Sequence, residues 1–107
     1  MNYSLIPSDE FKKNIKSLNK KYKNIKSDIE SLAIELIKNP YIGTELGNNT
    51  YKIRIKNTDN NKGKSAGYRI ITYIVDEDNK IFLVSIYSKS EQDNILDIEL
   101  QELIKGL

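Results

Sequence analysis

The chain has 107 residues, of which 30% are charged and 38% hydrophobic, so it has the length and balance of one globular domain, residues 1–107. It contains no cysteine and no histidine, which excludes disulfides, thiolate nucleophiles, Cys-ligated zinc and imidazole catalysis. The formal net charge is +2, but the charges are unevenly distributed along the chain. The ranges 1–26 and 51–69 each carry a net charge of +5, whereas 27–50 carries −3 and 70–107 carries −5. This uneven distribution predicts an anionic partner for one face.

The first part of the chain predicts a short strand and a helix. Residues 3–6 are the strand candidate, which Pro7 ends. Ser8 is placed to cap a helix over residues 9–22, which has two acids in its first turn. The helix is supported by an apolar stripe at steps of three and four residues. This stripe consists of Phe11, Ile15, Leu18 and Tyr22.

A second helix is predicted to begin at Ser27, which forms a capping box with Glu30. It is expected to end at Asn39, because the residue before Pro40 avoids the helical region. The connection between the two helices is short, so they are expected to pack as an antiparallel hairpin. Residues 41–50 contain two glycines and two asparagines and are expected to form a loop.

The clearest strand covers residues 51–56, because apolar and cationic side chains alternate there. Lys52, Arg54 and Lys56 share one face, where their spacing of ~6–7 Å is close to the phosphate repeat of an extended nucleic-acid strand. The chain contains only one other arginine, Arg69, beside fifteen lysines. In a chain that uses lysine by default, an arginine is best explained where the guanidinium geometry is needed.

Residues 68–75 and 81–87 are mostly apolar and are joined by the tight turn 76–79, so they predict a central hairpin covered on both faces. Asp97 is expected to cap a last helix. The predicted order β-α-α-β-β-β-α is that of an α+β fold, with a mainly antiparallel sheet covered by the helical hairpin and the last helix. The apolar residues of that last helix are Leu100, Leu103, Ile104 and Leu107.

A cationic loop, Gly63-Lys64-Ser65-Ala66-Gly67, leads into the strand that opens with Tyr68 and Arg69. A mobile ammonium beside an anchored guanidinium suits a phosphate. The loop lacks the strand–loop–helix context of a nucleotide-binding P-loop. The alternative is an ordinary glycine-rich hairpin loop with solvated lysines.

Several stretches, taken in order, resemble the RelE/ParE superfamily of toxins from type II toxin–antitoxin modules, and in particular its RelE/HigB-like branch. The resemblance extends over nearly the whole chain. It depends on Phe11-Lys12-Lys13, Ile15-Lys16-Ser17-Leu18, Asn39-Pro40, Tyr51-Lys52-Ile53-Arg54, the segment from Gly63 to Arg69, and Ile86-Tyr87-Ser88-Lys89-Ser90-Glu91.

The resemblance implies a RelE-like toxin that a co-expressed antitoxin binds and silences in a hetero-oligomer. RelE-like members enter the ribosomal A site and cut mRNA, whereas ParE-like members inhibit DNA gyrase. The expected activity here is the first, a metal-independent endoribonuclease (mRNA interferase) that inhibits translation. The alternatives are a ParE-like non-nuclease toxin acting on gyrase or another protein target, and an inactive protein that only binds nucleic acid or antitoxin.

The resemblance also assigns site residues. Arg54 and Lys56 match the basic pair of the family's second strand, and Arg69 matches the arginine that opens the third. Lys89 stands where some members carry a basic group, while the family tyrosine usually lies further toward the C-terminus than Tyr87. The catalytic candidates are therefore Arg69, Lys64, Arg54, Lys56, Lys89 and Tyr87, and the RNA-binding candidates are Lys52, Lys62 and Tyr68.

RNA cleavage of this kind requires deprotonation of the 2′-hydroxyl, stabilisation of the phosphorane charge and protonation of the leaving 5′-oxygen. Without histidine, the base would be a lysine or a tyrosine whose pKa neighbouring cations lower, and the sequence leaves that choice open. No metal or cofactor is expected. No apolar stretch has the length of a signal or transmembrane segment, so the sequence predicts a cytoplasmic protein without membrane contact.

Overall fold

The structure, a computed structural model, describes residues 3–60, 63, 66–92 and 94–107. Within these ranges the chain forms five strands and three α-helices. The strands are β1 (Ser4–Pro7), β2 (Thr44–Gly47), β3 (Thr50–Ile55), β4 (Tyr68–Val75) and β5 (Lys80–Ser88), and the helices are α1 (Asp9–Asn19), α2 (Ile25–Lys38) and α3 (Asp97–Lys105).

The strands form one mixed, mostly antiparallel sheet in the order β1-β5-β4-β3-β2. β1 pairs parallel with β5, and the other three pairs are antiparallel. A single 3₁₀ turn, Asp76–Asp78, closes the central hairpin, and Asn79 follows it in the left-handed conformation that asparagine tolerates. The predicted α+β fold with a mainly antiparallel sheet is thereby confirmed.

Apolar clusters cover both faces of the sheet, as the apolar character of β4 and β5 predicts. On one face α1 and α2 bury the main core, in which Phe11 and Leu36 pack with Ile70 and Ile74 of β4. On the opposite face, which we call the α3 face, a smaller cluster forms around Leu100 of α3. One helix covers less of a sheet than two, so the α3 face has room for polar side chains.

A β-bulge interrupts the pairing of β4 with β5. Ile71 lies opposite Ser85 and Thr72 lies opposite Leu83, so Val84 is an extra residue on β5. One extra residue reverses the alternation of side chains beyond it. Without the bulge, Tyr87 would share the face of Leu83 and point into the main core. With it, Tyr87 lies on the α3 face.

The structure differs from the sequence prediction first in residues 41–50, which were expected to form a loop. Thr44–Gly47 is instead the edge strand β2, which pairs with β3. Asn48 and Asn49 connect the two strands with positive φ angles of 50° and 59°. Two consecutive residues at positive φ are typical of a type I′ hairpin turn, so the residues that suggested a loop are the turn of a hairpin.

The helix ends also differ from the prediction. α2 begins at Ile25, so the predicted Ser27–Glu30 capping box is wrong. Ahead of α2, the backbone N–H and the side-chain amide of Asn24 both donate to the carboxylate of Asp59, at 2.9 Å each, so a tertiary contact replaces the local cap. α1 ends at Asn19 rather than at residue 22, and Asp97 is the first residue of α3 rather than its cap.

Candidate functional site

Three side chains that the sequence singled out lie side by side on the α3 face. Arg54 of β3 is directly opposite Arg69 of β4, and Arg69 is directly opposite Tyr87 of β5. Directly opposed residues of an antiparallel pair have Cβ atoms ~4.5–5.5 Å apart. The sheet therefore brings two guanidinium groups and a phenol into one line, which we call the Arg54–Arg69–Tyr87 row.

Arg69, in the middle of the row, is only 4% exposed, and its Nη1 donates to the carbonyl oxygen of Tyr68 at 3.3 Å. Burial lowers the pKa of the Arg69 guanidinium, the charge of Arg54 lowers it further, and Tyr87 acts in the opposite direction. An arginine nevertheless stays charged at neutral pH. Two like charges at opposed positions repel each other, and an anion bound near both relieves that repulsion. The pair is therefore suited to a phosphate.

Tyr87 is 6% exposed, and its hydroxyl has no hydrogen-bond partner of ordinary geometry among the described residues. Burial raises the pKa of Tyr87, and the backbone of Ile95 and the charge of Arg69 offset only part of that effect. The phenol is therefore neutral at pH 7 and keeps its proton. In this conformation Tyr87 suits the role of a proton or hydrogen-bond donor and does not suit that of a general base.

Three further candidate cations, Lys52, Lys56 and Lys89, lie on or just beyond the strands that carry the row. Lys52 lies two residues before Arg54 on the same strand and face, and its Nζ donates to Asn94 Oδ1 at 3.2 Å. Lys56 follows the end of β3 and lines, together with Arg54, a groove of about 240 Å³ between α2 and β3. Lys89 follows β5, where its backbone N–H donates to the carbonyl of Gly67 at 2.9 Å.

One described candidate, Tyr68, is not brought to this face. Tyr68 is fully buried in the main core, where its ring meets that of Tyr22 edge-on at 5.9 Å between centroids. Strand alternation turns Tyr68 toward the helices, so its position does not support the predicted contact with RNA. Two further candidates, Lys62 and Lys64, lie outside the described residues.

Gly67 marks the point where the cationic loop meets the sheet. A Cβ atom at Gly67 would lie 2.0 Å from the carbonyl oxygen of Ile55, so only glycine fits this close approach. The contact seats the start of β4 against the end of β3. It therefore helps to fix the register in which Arg69 faces Arg54.

Sequence reasoning missed two side chains that hold the outer edge of β5 beside the row. The Ser8 hydroxyl, which accepts from the Phe11 N–H as a helix cap, also donates to the Val84 carbonyl at 2.8 Å. The side-chain oxygen of Asn14 accepts from the Ile86 N–H at 3.1 Å. Ser8 carried a signal only for its capping role. Asn14 carried none, because a polar residue on a helix ordinarily faces solvent.

Neither a metal-binding cluster nor a membrane-spanning helix is found among the described residues. No group of three or more acidic side chains is placed there to hold a metal ion. No helix among these residues is long and apolar enough to cross a membrane.

Residues 10–106 match the family model for the RelE toxin of the RelE/RelB toxin–antitoxin system. The chain belongs to the RelE toxin family. The matched range begins at the second residue of α1 and extends through α3, so it includes the Arg54–Arg69–Tyr87 row. The RelE resemblance found in the sequence is thereby confirmed.

Solved structures of Escherichia coli RelE share the fold of this RelE-family toxin. An arginine-to-alanine double mutant of E. coli RelE in the free state matches with a TM-score of 0.63 and 18% identity, over 100% of this chain and 99% of that chain. The toxin–antitoxin complex of intact E. coli RelBE matches with a TM-score of 0.58 and 19% identity, over 80% of this chain and 95% of that chain. The same RelE mutant bound to an antitoxin RelBc peptide matches with a TM-score of 0.60 and 19% identity, over 95% of this chain and 94% of that chain.

Proposed function

We propose that this RelE-family toxin is a ribosome-dependent endoribonuclease that cuts mRNA and so inhibits translation. The observation that carries the proposal is the Arg54–Arg69–Tyr87 row, which aligns two permanent cations and a neutral phenol on one sheet face. Cleavage through a 2′-hydroxyl needs charge stabilisation at the phosphorane and a proton for the leaving oxygen. The row offers a chemical group for each of these two needs.

The two arginines have different roles in this proposal. Arg54 is exposed, so its planar fork is free to grip two oxygens of a backbone phosphate. Arg69 lies beside it on β4 and is nearly buried, so its charge acts on the phosphate that Arg54 holds. A charge in a desolvated position is screened less than one at the surface, and it favours the transition state, where the phosphate gains negative charge.

Tyr87 supplies the proton-donating group. Burial raises its pKa, so it retains its proton at neutral pH and can donate to the departing 5′-oxygen. The base that removes the 2′-hydroxyl proton is then a lysine near the row or a group of the ribosome. Because these acid–base groups are poorly matched to pH 7, cleavage of free RNA should be slow. Geometry imposed by the ribosome makes up the difference.

The proposed function includes an antitoxin that neutralises this toxin by binding it. Two of the structural relatives are complexes of RelE with RelB or a RelB peptide, which supports a RelB-like partner. The cationic cluster of Lys52, Arg54 and Lys56 favours an acidic segment on that partner, since opposite charges speed association and fix its register.

The test is to induce the toxin in growing cells and to map the 5′ ends of mRNA. The proposal predicts new ends at codon-phased positions within translated messages and none in untranslated regions. An Arg54→Gln variant should produce far fewer such ends, whereas a Lys38→Gln variant, changed at the far end of α2, should match the wild type. Intact messages accompanied by induced DNA damage would instead indicate a ParE-like action on gyrase.

A further inference from the structure

The outer edge of β5 is held in a bulged conformation by the residue that follows β1. In a regular strand, successive carbonyl groups point to opposite edges. Leu83 and Val84 are successive residues, yet both of their carbonyls accept hydrogen bonds from Ser8. The Ser8 backbone N–H donates to Leu83 at 2.9 Å, and its hydroxyl donates to Val84 at 2.8 Å. This pair of bonds fits the bulge, in which both carbonyls are within reach of Ser8.

Asn14 makes a second contact that depends on the bulge. If β5 were regular, the N–H that follows Leu83 on the outer edge would be that of Ser85. It is the Ile86 N–H that points outward instead, and it donates to Asn14 Oδ1 at 3.1 Å. The other end of the same amide is fixed, because Asn14 Nδ2 donates to Glu10 Oε2 at 2.8 Å. Asn14 is therefore held in the orientation that accepts from Ile86.

We propose that Asn14, with Ser8, is a positioning residue that fixes the register of the β5 bulge and so keeps the Tyr87 phenol beside Arg69. Tyr87 is the residue directly after Ile86, and a one-residue slip would turn it from the α3 face toward the main core. The role of this contact in catalysis rests on the proposed function. The effect on the position of Tyr87 does not.

A cavity next to this contact makes the idea testable without unfolding the protein. About 290 Å³ of space is lined by Asn14, Ile86 and Tyr87, among others. When Asn14 is shortened to alanine, water from this cavity can satisfy the Ile86 N–H, so the fold should survive. What is lost is the directional contact that selects the bulged register.

The matched control is Asn19→Ala. Asn19 lies on the same helix and is half-buried like Asn14, and the structure gives its side chain no hydrogen bond to another described residue. The conservative rescue is Asn14→Asp combined with Glu10→Gln. This exchange reverses the donor and the acceptor between the two side chains and keeps an oxygen next to the Ile86 N–H.

Two measurements are made on each folded variant: the single-turnover cleavage rate on programmed ribosomes, and the NMR signal and titration of Tyr87 in protein labelled at tyrosine Cζ. Asn14→Ala should slow cleavage by about tenfold or more and shift the Tyr87 signal, whereas Asn19→Ala should do neither. In a Tyr87→Phe background, Asn14→Ala should cause no further loss of rate. The rescue pair should restore both readouts.

The outcomes separate the positioning role from the proposed function. An unchanged Tyr87 signal in Asn14→Ala, or a loss of rate that persists in the Tyr87→Phe background, would overturn the positioning role. If the wild-type toxin does not cleave mRNA on ribosomes, the proposed function fails. The Tyr87 signal then still decides whether Asn14 fixes its position.

Discussion

Arg54 and Arg69 lie directly opposite each other on neighbouring strands, at positions where an antiparallel sheet ordinarily places opposite charges or apolar groups. Their mutual repulsion opposes folding, and Arg69 carries it in a nearly buried position. In the proposed function this pair forms an anion site that is partly assembled before its ligand arrives. The relationship therefore links the stability of the toxin to its proposed function.

Arg54→Gln should consequently stabilise the free protein while it weakens the site. Removing one of two opposed like charges should raise the free energy of unfolding by about 0.2–1 kcal/mol at low salt. The gain should shrink as added salt screens the repulsion. Urea unfolding at two salt concentrations measures both effects. Lys56→Gln, which removes an exposed cation beyond the end of β3, is the control and should show a smaller gain. A loss of stability in Arg54→Gln would contradict this account.

Tyr68 should make the protein sensitive to alkaline pH. Burial raises the pKa of Tyr68, followed by smaller contributions from Asp28 and Asp59. In the unfolded chain a tyrosine titrates near its ordinary pKa of about 10. Stability is then fully present below that pH and falls as the pH rises toward the folded-state pKa, because the unfolded state loses its proton first. Urea unfolding at a series of pH values from 8 to about 11 measures the slope.

Two tyrosine-to-phenylalanine variants separate this effect from general alkaline unfolding. Tyr68→Phe should flatten the alkaline slope at little cost in stability at pH 7, since the Tyr68 hydroxyl has no hydrogen-bond partner among the described residues. The contribution of Tyr22 to the pH dependence of stability has the opposite sign, because hydrogen bonds from Ser90 and Ser88 lower its pKa. Tyr22→Phe should therefore steepen the slope. Equal slopes in the two variants would rule out the assignment.

The two apolar clusters should differ in their contribution to stability. Leu36 is fully buried in the main core, so Leu36→Ala should cost about 2–5 kcal/mol through lost burial and the cavity left behind. Leu100→Ala should cost less, because the cluster on the α3 face is small and can collapse around the gap. Ile34→Ala, at a position that is 61% exposed, is the control and should change little. Equal losses for Leu36 and Leu100 would show that α3 is held as firmly as α2.

Binding of the antitoxin should depend on salt. If an acidic segment covers the cations of β3, the affinity measured by calorimetry should fall as the salt concentration rises. The double variant Arg54→Gln/Lys56→Gln should bind more weakly, and its affinity should depend less on salt. An affinity that stays constant between low and high salt would mean that the antitoxin binds elsewhere.

Much of this fold could be predicted from the sequence, because local signals and tertiary packing agree in most elements. Ser8 caps α1 as predicted, and the alternation of residues 51–56 places Arg54 on the polar face of β3. The failures came where a tertiary contact replaced a local one. The Asp59 carboxylate accepts hydrogen bonds from Asn24, and α2 begins at Ile25, ahead of the predicted cap at Ser27.

The candidate site was predicted only in part, because the sequence carried no signal for the bulge. Alternation alone would place Tyr87 with Leu83 in the main core, and one extra residue at Val84 reverses that placement. The near-complete burial of Arg69 could not be foreseen either, since burial depends on tertiary packing rather than on local sequence. Tyr68 lies away from the row for a simpler reason: its neighbour Arg69 faces the site, so Tyr68 faces the core.

The central claim is that Arg69 stabilises charge that develops on the scissile phosphate, and cleavage of mRNA on programmed ribosomes by purified toxin tests it most directly. The account predicts that Arg69→Ala lowers the single-turnover rate by about 10²–10³-fold with ribosome binding nearly unchanged. It also predicts that Arg69→Lys stays impaired, because an ammonium cannot reproduce the planar guanidinium. Each variant is first confirmed to be folded by its unfolding transition. A wild-type rate for Arg69→Ala would contradict the claim, and a wild-type rate for Arg69→Lys alone would reduce Arg69 to a simple positive charge.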